Sequence, residues 1–222
     1  MTETFWIYGH RGTPRRFQEN TVESFEEALR CGADGFETDL RLLSDGTAVL
    51  FHDDELHDRD VESLSTADIR SYDVRVDPLR ELAQFAGRGT MILEVKRSKW
   101  EDILCSEISS WPAIVVASFD HSTIAELSKR NVAFPIGLTI SGYIVDLPEY
   151  AERLGATWLF PNFHYVSAEL VDSLHERGIK VVPWTANLPI QWARLRDAGC
   201  DGVITDDPCE AVEWRRKSAS SE

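Results

Sequence analysis

The chain has 222 residues, 43% of them hydrophobic and 27% charged, with a formal net charge of −15. That length suits one barrel-sized domain, and seven Trp and ten Phe supply large side chains for its core. The acidic field excludes nucleic acid and anionic membrane surface as partners; it also repels phosphate esters, so a phosphate site here requires a local cationic patch or a bound cation.

The first apolar run, 5–9, ends in Gly9-His10-Arg11-Gly12. Asn20 and Glu23 then have capping-box spacing ahead of Phe25 and Leu29, which predicts a helix. The next run, 35–39, continues to Leu43 and meets Ser44-Asp45-Gly46. Asp-Gly between apolar runs is a hairpin signal, and a parallel crossover needs about a dozen residues. Residues 48–53 therefore read as an antiparallel return that places His52 across from about Asp39. Asp77-Pro78 reads as the N-cap and first residue of a helix stopped by Gly87. Further apolar runs follow at 91–96, 113–118, 135–139, 158–161, 179–184 and 202–205. Each is trailed by a segment that reads as helix or has room for one, and two of these stop at Gly178 and Gly199. Alternating strands and helices imply a parallel sheet, and eight such units imply a closed (β/α)8 barrel. The expected architecture is a single α/β TIM barrel over 1–216 with an extra β-hairpin after strand two and a loose tail at 217–222.

Residues 1–8 are too short and too acidic for a secretory signal, and no apolar run approaches the roughly 20 residues of a membrane span. Cys31, Cys105, Cys200 and Cys209 are scattered without a C-x-x-C pair. The expectation is a cytoplasmic protein without structural disulfides and without stable membrane insertion. Nothing in the chain fixes its oligomeric state.

Active sites of such barrels lie at the C-terminal ends of the strands. Glu37 and Asp39 are two apart on strand two and so point to the same side, the interior. Two buried carboxylates raise each other's pKa unless a cation intervenes, and Glu94 adds a third. Three carboxylates without sulfur or imidazole are hard ligands suited to Mg²⁺ or Ca²⁺, with Mn²⁺ also acceptable. The competing reading is a set of salt-bridged or solvated carboxylates; Glu94-x-Lys96 on the next barrel strand favours metal. His10 and His52 flank the carboxylate strand and are the acid–base candidates, since two imidazoles can divide proton transfer at neutral pH. Arg11 and Lys96 are the phosphate contacts, with a surface ion pair as the alternative for Arg11. Trp184 serves as a wall against a substrate's carbon skeleton or as core. Asn20 reads as a helix cap, Ser118 lacks the sharp turn of a serine nucleophile, and His57, His121, His164 and His175 read as surface or packing residues.

The ordered set His10-Arg11-Gly12, Glu19-Asn20-Thr21, Glu37-x-Asp39, Asp45-Gly46, His52-Asp53, Glu94-x-Lys96, Ser118-Phe119-Asp120, Trp184-Thr185 and Thr205-Asp206 resembles the glycerophosphodiester phosphodiesterase family over nearly the whole chain. The resemblance implies that His10 and His52 are general acid and base and that Glu37, Asp39 and Glu94 bind a divalent metal. It implies that Arg11 and Lys96 hold the phosphate and that Trp184 lines the glycerol side. It further implies hydrolysis of glycerophosphodiesters to glycerol 3-phosphate and an alcohol, with the glycerol 2-hydroxyl attacking phosphorus to give a cyclic phosphate that water then opens. Two departures stand out: Asp54–Asp60 replaces an Arg-Thr-Thr-like stretch, and the segment from Asp53 to Leu93 is short for a full inserted subdomain. A shortened cap opens the site to larger substrates, so a phospholipase-D-like or lysophospholipid enzyme is the alternative. A barrel that binds a phosphate ligand without turning it over is the other.

Overall fold

A computed structural model describes residues 5–219. The elements in chain order are β1 (Trp6–Gly9), α1 (Val22–Cys31), β2 (Gly35–Leu42), β3 (Ala48–Leu50), β4 (Glu55–Leu56), β5 (Arg59–Asp60), α2 (Thr66–Ser71), β6 (Thr90–Val95), α3 (Glu101–Ile108), β7 (Ile114–Ser118), α4 (His121–Lys129), β8 (Ile136–Ile140), α5 (Leu147–Arg153), β9 (Trp158–Pro161), α6 (Ala168–His175), β10 (Lys180–Val181), α7 (Pro189–Asp197), β11 (Gly202–Thr205) and α8 (Pro208–Ala219). Eight strands run parallel in the order β10-β9-β8-β7-β6-β2-β1-β11. The ring closes where Asp201 N–H donates to the Val181 carbonyl at 3.0 Å and Ile204 N–H to the Pro183 carbonyl at 2.9 Å. This is the expected (β/α)8 barrel, whose apolar runs supply the strands.

Side-chain alternation along β2 sorts the interior. Phe36 and Leu40 pack outward into the layer between strands and helices, while Glu37 and Asp39 point into the barrel. The outer layer holds Phe25 stacked on Phe36 with centroids 4.2 Å apart and Phe85 edge-on to both. Truncating such a ring costs roughly 3–5 kcal/mol. The inner layer of Tyr8, Ile92, Val115, Ala117, Trp158, Phe160, Val182 and Ile204 fills the barrel below its C-terminal mouth. The polar groups of strands one, two and six thus have a solid floor beneath them.

The hairpin after β2 forms as expected, with Leu40 opposite Leu50. Phe51 N–H donates to the Asp39 carbonyl at 3.0 Å, so Phe51 faces Asp39 and His52 lies one residue beyond the expected position. The segment that follows packs on the hairpin through Leu43, Val49, Val61, Leu64 and Ile69, a small core of its own.

Four expectations are corrected. Thr21, rather than Asn20, caps α1, its hydroxyl accepting from Ser24 N–H. Leu79–Phe85 forms a 3-10 helix without a side-chain cap, because the Asp77 carboxylate is taken by Arg75 and by Val22 N–H. Cys31 and Cys209 form a disulfide, their Cα atoms 5.1 Å apart across 178 residues of sequence. Barrel closure sets α1 beside α8 and joins cysteines that spacing alone kept apart, which removes the cysteine argument for a reducing compartment. Finally, α8 runs through Ala219, into the segment expected to be a loose tail; 220–222 lie outside the described residues. Among the described residues no helix is long and apolar enough to cross a membrane.

Candidate active site

A cavity of about 180 Å³ opens at the C-terminal ends of the barrel strands. His10, Arg11, Glu37, Asp39, His52, Glu94, Lys96 and Trp184 all line it, so every site residue expected from the sequence is brought to one place. The charged groups come from the neighbouring strands β1, β2 and β6 and the hairpin. Ile92, Ala117, Phe119, Thr139, Phe160 and Ile204, with Trp184, form the rest of the wall.

The loop after β1 is shaped by backbone conformation. Arg11 and Gly12 have φ of 51° and 86°, and a Cβ at Gly12 would lie 2.3 Å from the Ser24 hydroxyl. The residue must therefore be glycine. This turn aims Arg11 N–H at Glu37 Oε2, 3.0 Å away.

Glu37, Asp39 and Glu94 are buried, and each offers an oxygen within 4.8 Å of the others. Two cations share them unequally. Lys96 Nζ lies 2.7 Å from Asp39 Oδ1 and also pairs with Glu94. Arg11 Nε lies 3.1 Å from Asp39 Oδ2, and its Nη1 donates to Glu19 at 2.9 Å. Burial opposes ionisation of Asp39, yet Lys96 and Arg11 outweigh it and hold its pKa below the ordinary value. Burial and the Asp39 charge push Glu37 up to about 8. Burial, offset in part by Lys96, also raises Glu94. Three convergent oxygen donors whose charge the protein's own cations leave partly uncompensated fit a hard divalent cation.

Both imidazoles are oriented by carboxylates. His10 Nδ1 lies 2.7 Å from Asp206 Oδ1, and Asn187 Nδ2 donates to Asp206 Oδ2 at 2.6 Å. Asn187 Oδ1 in turn accepts from Asp206 N–H and from the Thr205 hydroxyl. Burial is the largest influence on His10 and favours the neutral ring. The Asp206 hydrogen bond and the Glu37 charge overcome it, so its pKa is raised. His52 Nδ1 lies 2.8 Å from Asp53 Oδ1. An Nδ1–H held by a carboxylate leaves Nε2 of each ring as the nitrogen free for proton transfer.

Three residues take roles that their sequence context did not assign to them. Asp206 and Asn187 are far from His10 in sequence and meet it only when β11 closes against β1. Asn20 has φ of 55°, which turns its side chain inward. Its Nδ2 donates to Asp39 Oδ2 at 2.8 Å, and its Oδ1 accepts from Asp39 N–H and the Thr38 hydroxyl. It braces Asp39 rather than capping the helix. Of the groups read as structural, Ser118 is buried and donates to the Val95 carbonyl, and His121 bridges Tyr150 and the Thr139 carbonyl.

The model of the glycerophosphoryl diester phosphodiesterase family matches residues 10–99 and 93–210. The chain belongs to that family. A glycerophosphodiester phosphodiesterase of Caldanaerobacter subterraneus is 27% identical over 95% of this chain and 98% of its own length. The crystal structure of the Thermotoga maritima glycerophosphodiester phosphodiesterase superposes with a TM-score of 0.83 at 25% identity, covering 94% of this chain and 97% of that one. An Oleispira antarctica phosphodiesterase, solved in complex with the product sn-glycerol-3-phosphate, has a TM-score of 0.84 at 21% identity over 98% and 97% of the two chains. As a glycerophosphodiester phosphodiesterase family enzyme, this chain keeps its charged cavity where such a barrel carries its chemistry.

Proposed function

We propose that the chain hydrolyses glycerophosphodiesters to glycerol 3-phosphate and an alcohol, with His10 and His52 as acid–base pair and a divalent cation at Glu37, Asp39 and Glu94. The observation that carries this reading is the pairing of each histidine Nδ1 with a carboxylate, at 2.7 and 2.8 Å, on the wall of one cavity that also holds the three acidic side chains. Binding a phosphate ligand without turnover needs neither imidazole.

Arg11 and Lys96 hold the phosphate. His10 Nε2 takes the proton of the glycerol 2-hydroxyl as its oxygen forms a bond to phosphorus, and Asp206 stabilises the resulting imidazolium. The bond from phosphorus to the leaving oxygen breaks, and His52, more exposed on the hairpin, gives that oxygen its proton. Water then opens the cyclic phosphate with the two roles exchanged. When bound, Mg²⁺, Ca²⁺ or Mn²⁺ neutralises charge on the phosphate oxygens.

A second reading, a lysophospholipid phosphodiesterase, is favoured by the exposed apolar side chains on the loops of the same barrel face: Tyr143 and Val145 after β8, and Leu188 and Ile190 at the start of α7. A panel of glycerophosphodiesters and lysophospholipids, assayed with each metal and scored by product, tests both. Free glycerol 3-phosphate is expected from the first class. Turnover confined to acylated substrates selects the second reading, and no turnover of either class removes both.

A further inference from the structure

Thr139 is the feature of this cavity that the proposed mechanism leaves unused. It lies on β8, lines the cavity and is 4% exposed, and its hydroxyl has no hydrogen-bond partner among the described residues. Buried hydroxyls are almost always satisfied, so a bare one in a substrate cavity points to a ligand. The other hydroxyls near the site are engaged: Ser118 with the Val95 carbonyl, Thr38 with Asn20 and Thr205 with Asn187. Thr123, also unpartnered, lies in α4 outside the cavity.

The surroundings narrow the ligand. Trp184, the other polar side chain on this wall, has its indole N–H committed to the Phe160 carbonyl at 2.9 Å. Ala117, Phe119 and Phe160 offer no side-chain hydrogen bond. Thr139 therefore carries an uncommitted hydroxyl on an apolar wall; the oxygen is buried as it stands, and a turn about the Cα–Cβ bond brings it to the cavity, the surface expected opposite a short carbon chain that ends in a hydroxyl. Strand register sets the span. Ala117 pairs with both Glu94 and Gly137, and Thr139 is two residues beyond Gly137 on the same face. Two strand spacings and two residue rises put Thr139 about 10 Å from Glu94, allowing for barrel curvature. That gap accommodates a phosphate on the charged wall with three carbons leading away from it. In the mechanism proposed above the leaving alcohol departs past His52 and Asp53, the more exposed side, which leaves the buried end to glycerol.

We propose that the Thr139 hydroxyl binds the terminal hydroxyl of the substrate's glycerol, the one that neither carries phosphate nor attacks it, and so selects for an unesterified glycerol end. This rests on the glycerophosphodiesterase reading above. The test is a cycle crossing Thr139→Val, which keeps side-chain shape but removes the hydroxyl, with two esters: glycerophosphocholine and its analogue on propane-1,2-diol, which lacks the terminal hydroxyl. The wild-type protein is expected to prefer the glycerol ester in kcat/KM by about tenfold, the value of one satisfied buried hydroxyl, expressed mainly in KM. In Thr139→Val that ratio collapses to near one, and Thr139→Ser recovers most of it. An equal loss on both esters in Thr139→Val, or a wild-type protein that turns over both without preference, overturns the assignment while leaving the reaction class intact. Absence of turnover with either ester in the wild-type protein removes the reaction class and this inference with it.

Discussion

Replacing Glu37 with glutamine keeps the shape of the side chain, and the new amide oxygen still accepts Arg11 N–H. What disappears is a buried charge that, without metal, only partial compensation supports. Glu37 is raised from an ordinary 4.5 to about 8 by burial first and by Asp39 second. The folded state therefore binds this proton more tightly than the unfolded chain does, and stability falls as pH rises from about 4.5 through about 8. His10, with its raised pKa, and Glu94 act in the same direction. At roughly 1.4 kcal/mol per pH unit, the Glu37 shift places roughly 5 kcal/mol in that window, of which roughly 4 kcal/mol is lost by pH 8. In excess chelator, Glu37→Gln should thus be more stable than wild type by roughly 4 kcal/mol near pH 8, a rise in Tm of roughly 8–16 °C. Near pH 5 the two should agree to within about 1 kcal/mol. Thermal melts across this range in chelator, repeated with Mg²⁺, provide the assay; Mg²⁺ should raise Tm more for wild type than for the variant. A metal-free Glu37→Gln that melts at or below wild type near pH 8, or a Tm–pH profile parallel to wild type, would show that Glu37 is not an uncompensated charge and refute the reasoning.

Asp206→Asn removes the carboxylate that holds His10 Nδ1–H, so kcat should fall by about 10² or more and the pKa assigned to His10 in the pH–rate profile should move down; an unchanged profile contradicts the orienting role. His10→Ala and His52→Ala should each lower kcat by about 10²–10⁴ with modest change in KM, and the double variant should lose less than the product of the two. With a p-nitrophenyl ester, whose leaving group needs no proton, His52→Ala should recover much of its loss and His10→Ala little; equal losses on both esters reject that division of roles. Reducing the Cys31–Cys209 bond should lower stability by roughly 2–4 kcal/mol, read as a drop in Tm that Cys31→Ser reproduces and that reductant does not deepen in the variant.

Local signals carried much of this fold. Asp45-Gly46 announced the hairpin, and its register differs from expectation by a single residue because the backbone pairing sets Phe51, not His52, opposite Asp39. The alternation Phe36, Glu37, Thr38, Asp39 placed both carboxylates on the inner face because a strand repeats every two residues. What escaped was set by closure of the ring. Asp206, though part of the Thr205-Asp206 motif, and Asn187 carry no local sign of a contact with His10 and become its support only when β11 pairs with β1. Cys31 and Cys209 meet for the same reason, as α1 and α8 come to lie side by side. Asn20 carried a misleading signal: a short polar residue before an apolar helix normally caps it, but the left-handed backbone at this position hands the cap to Thr21 and turns Asn20 to Asp39. Thr139 had no signal at all, since a threonine within an apolar strand reads as β-propensity.

The central claim, metal-dependent cleavage of a glycerophosphodiester in this cavity, meets its most direct test in phosphorus NMR of glycerophosphocholine incubated with the protein and Mg²⁺, then with excess chelator. The account predicts that the glycerol 3-phosphate resonance grows with Mg²⁺, stops growing when chelator is added, and resumes on addition of fresh Mg²⁺, Ca²⁺ or Mn²⁺. Undiminished product formation in chelator, with the protein's metal content measured as nil, would contradict it.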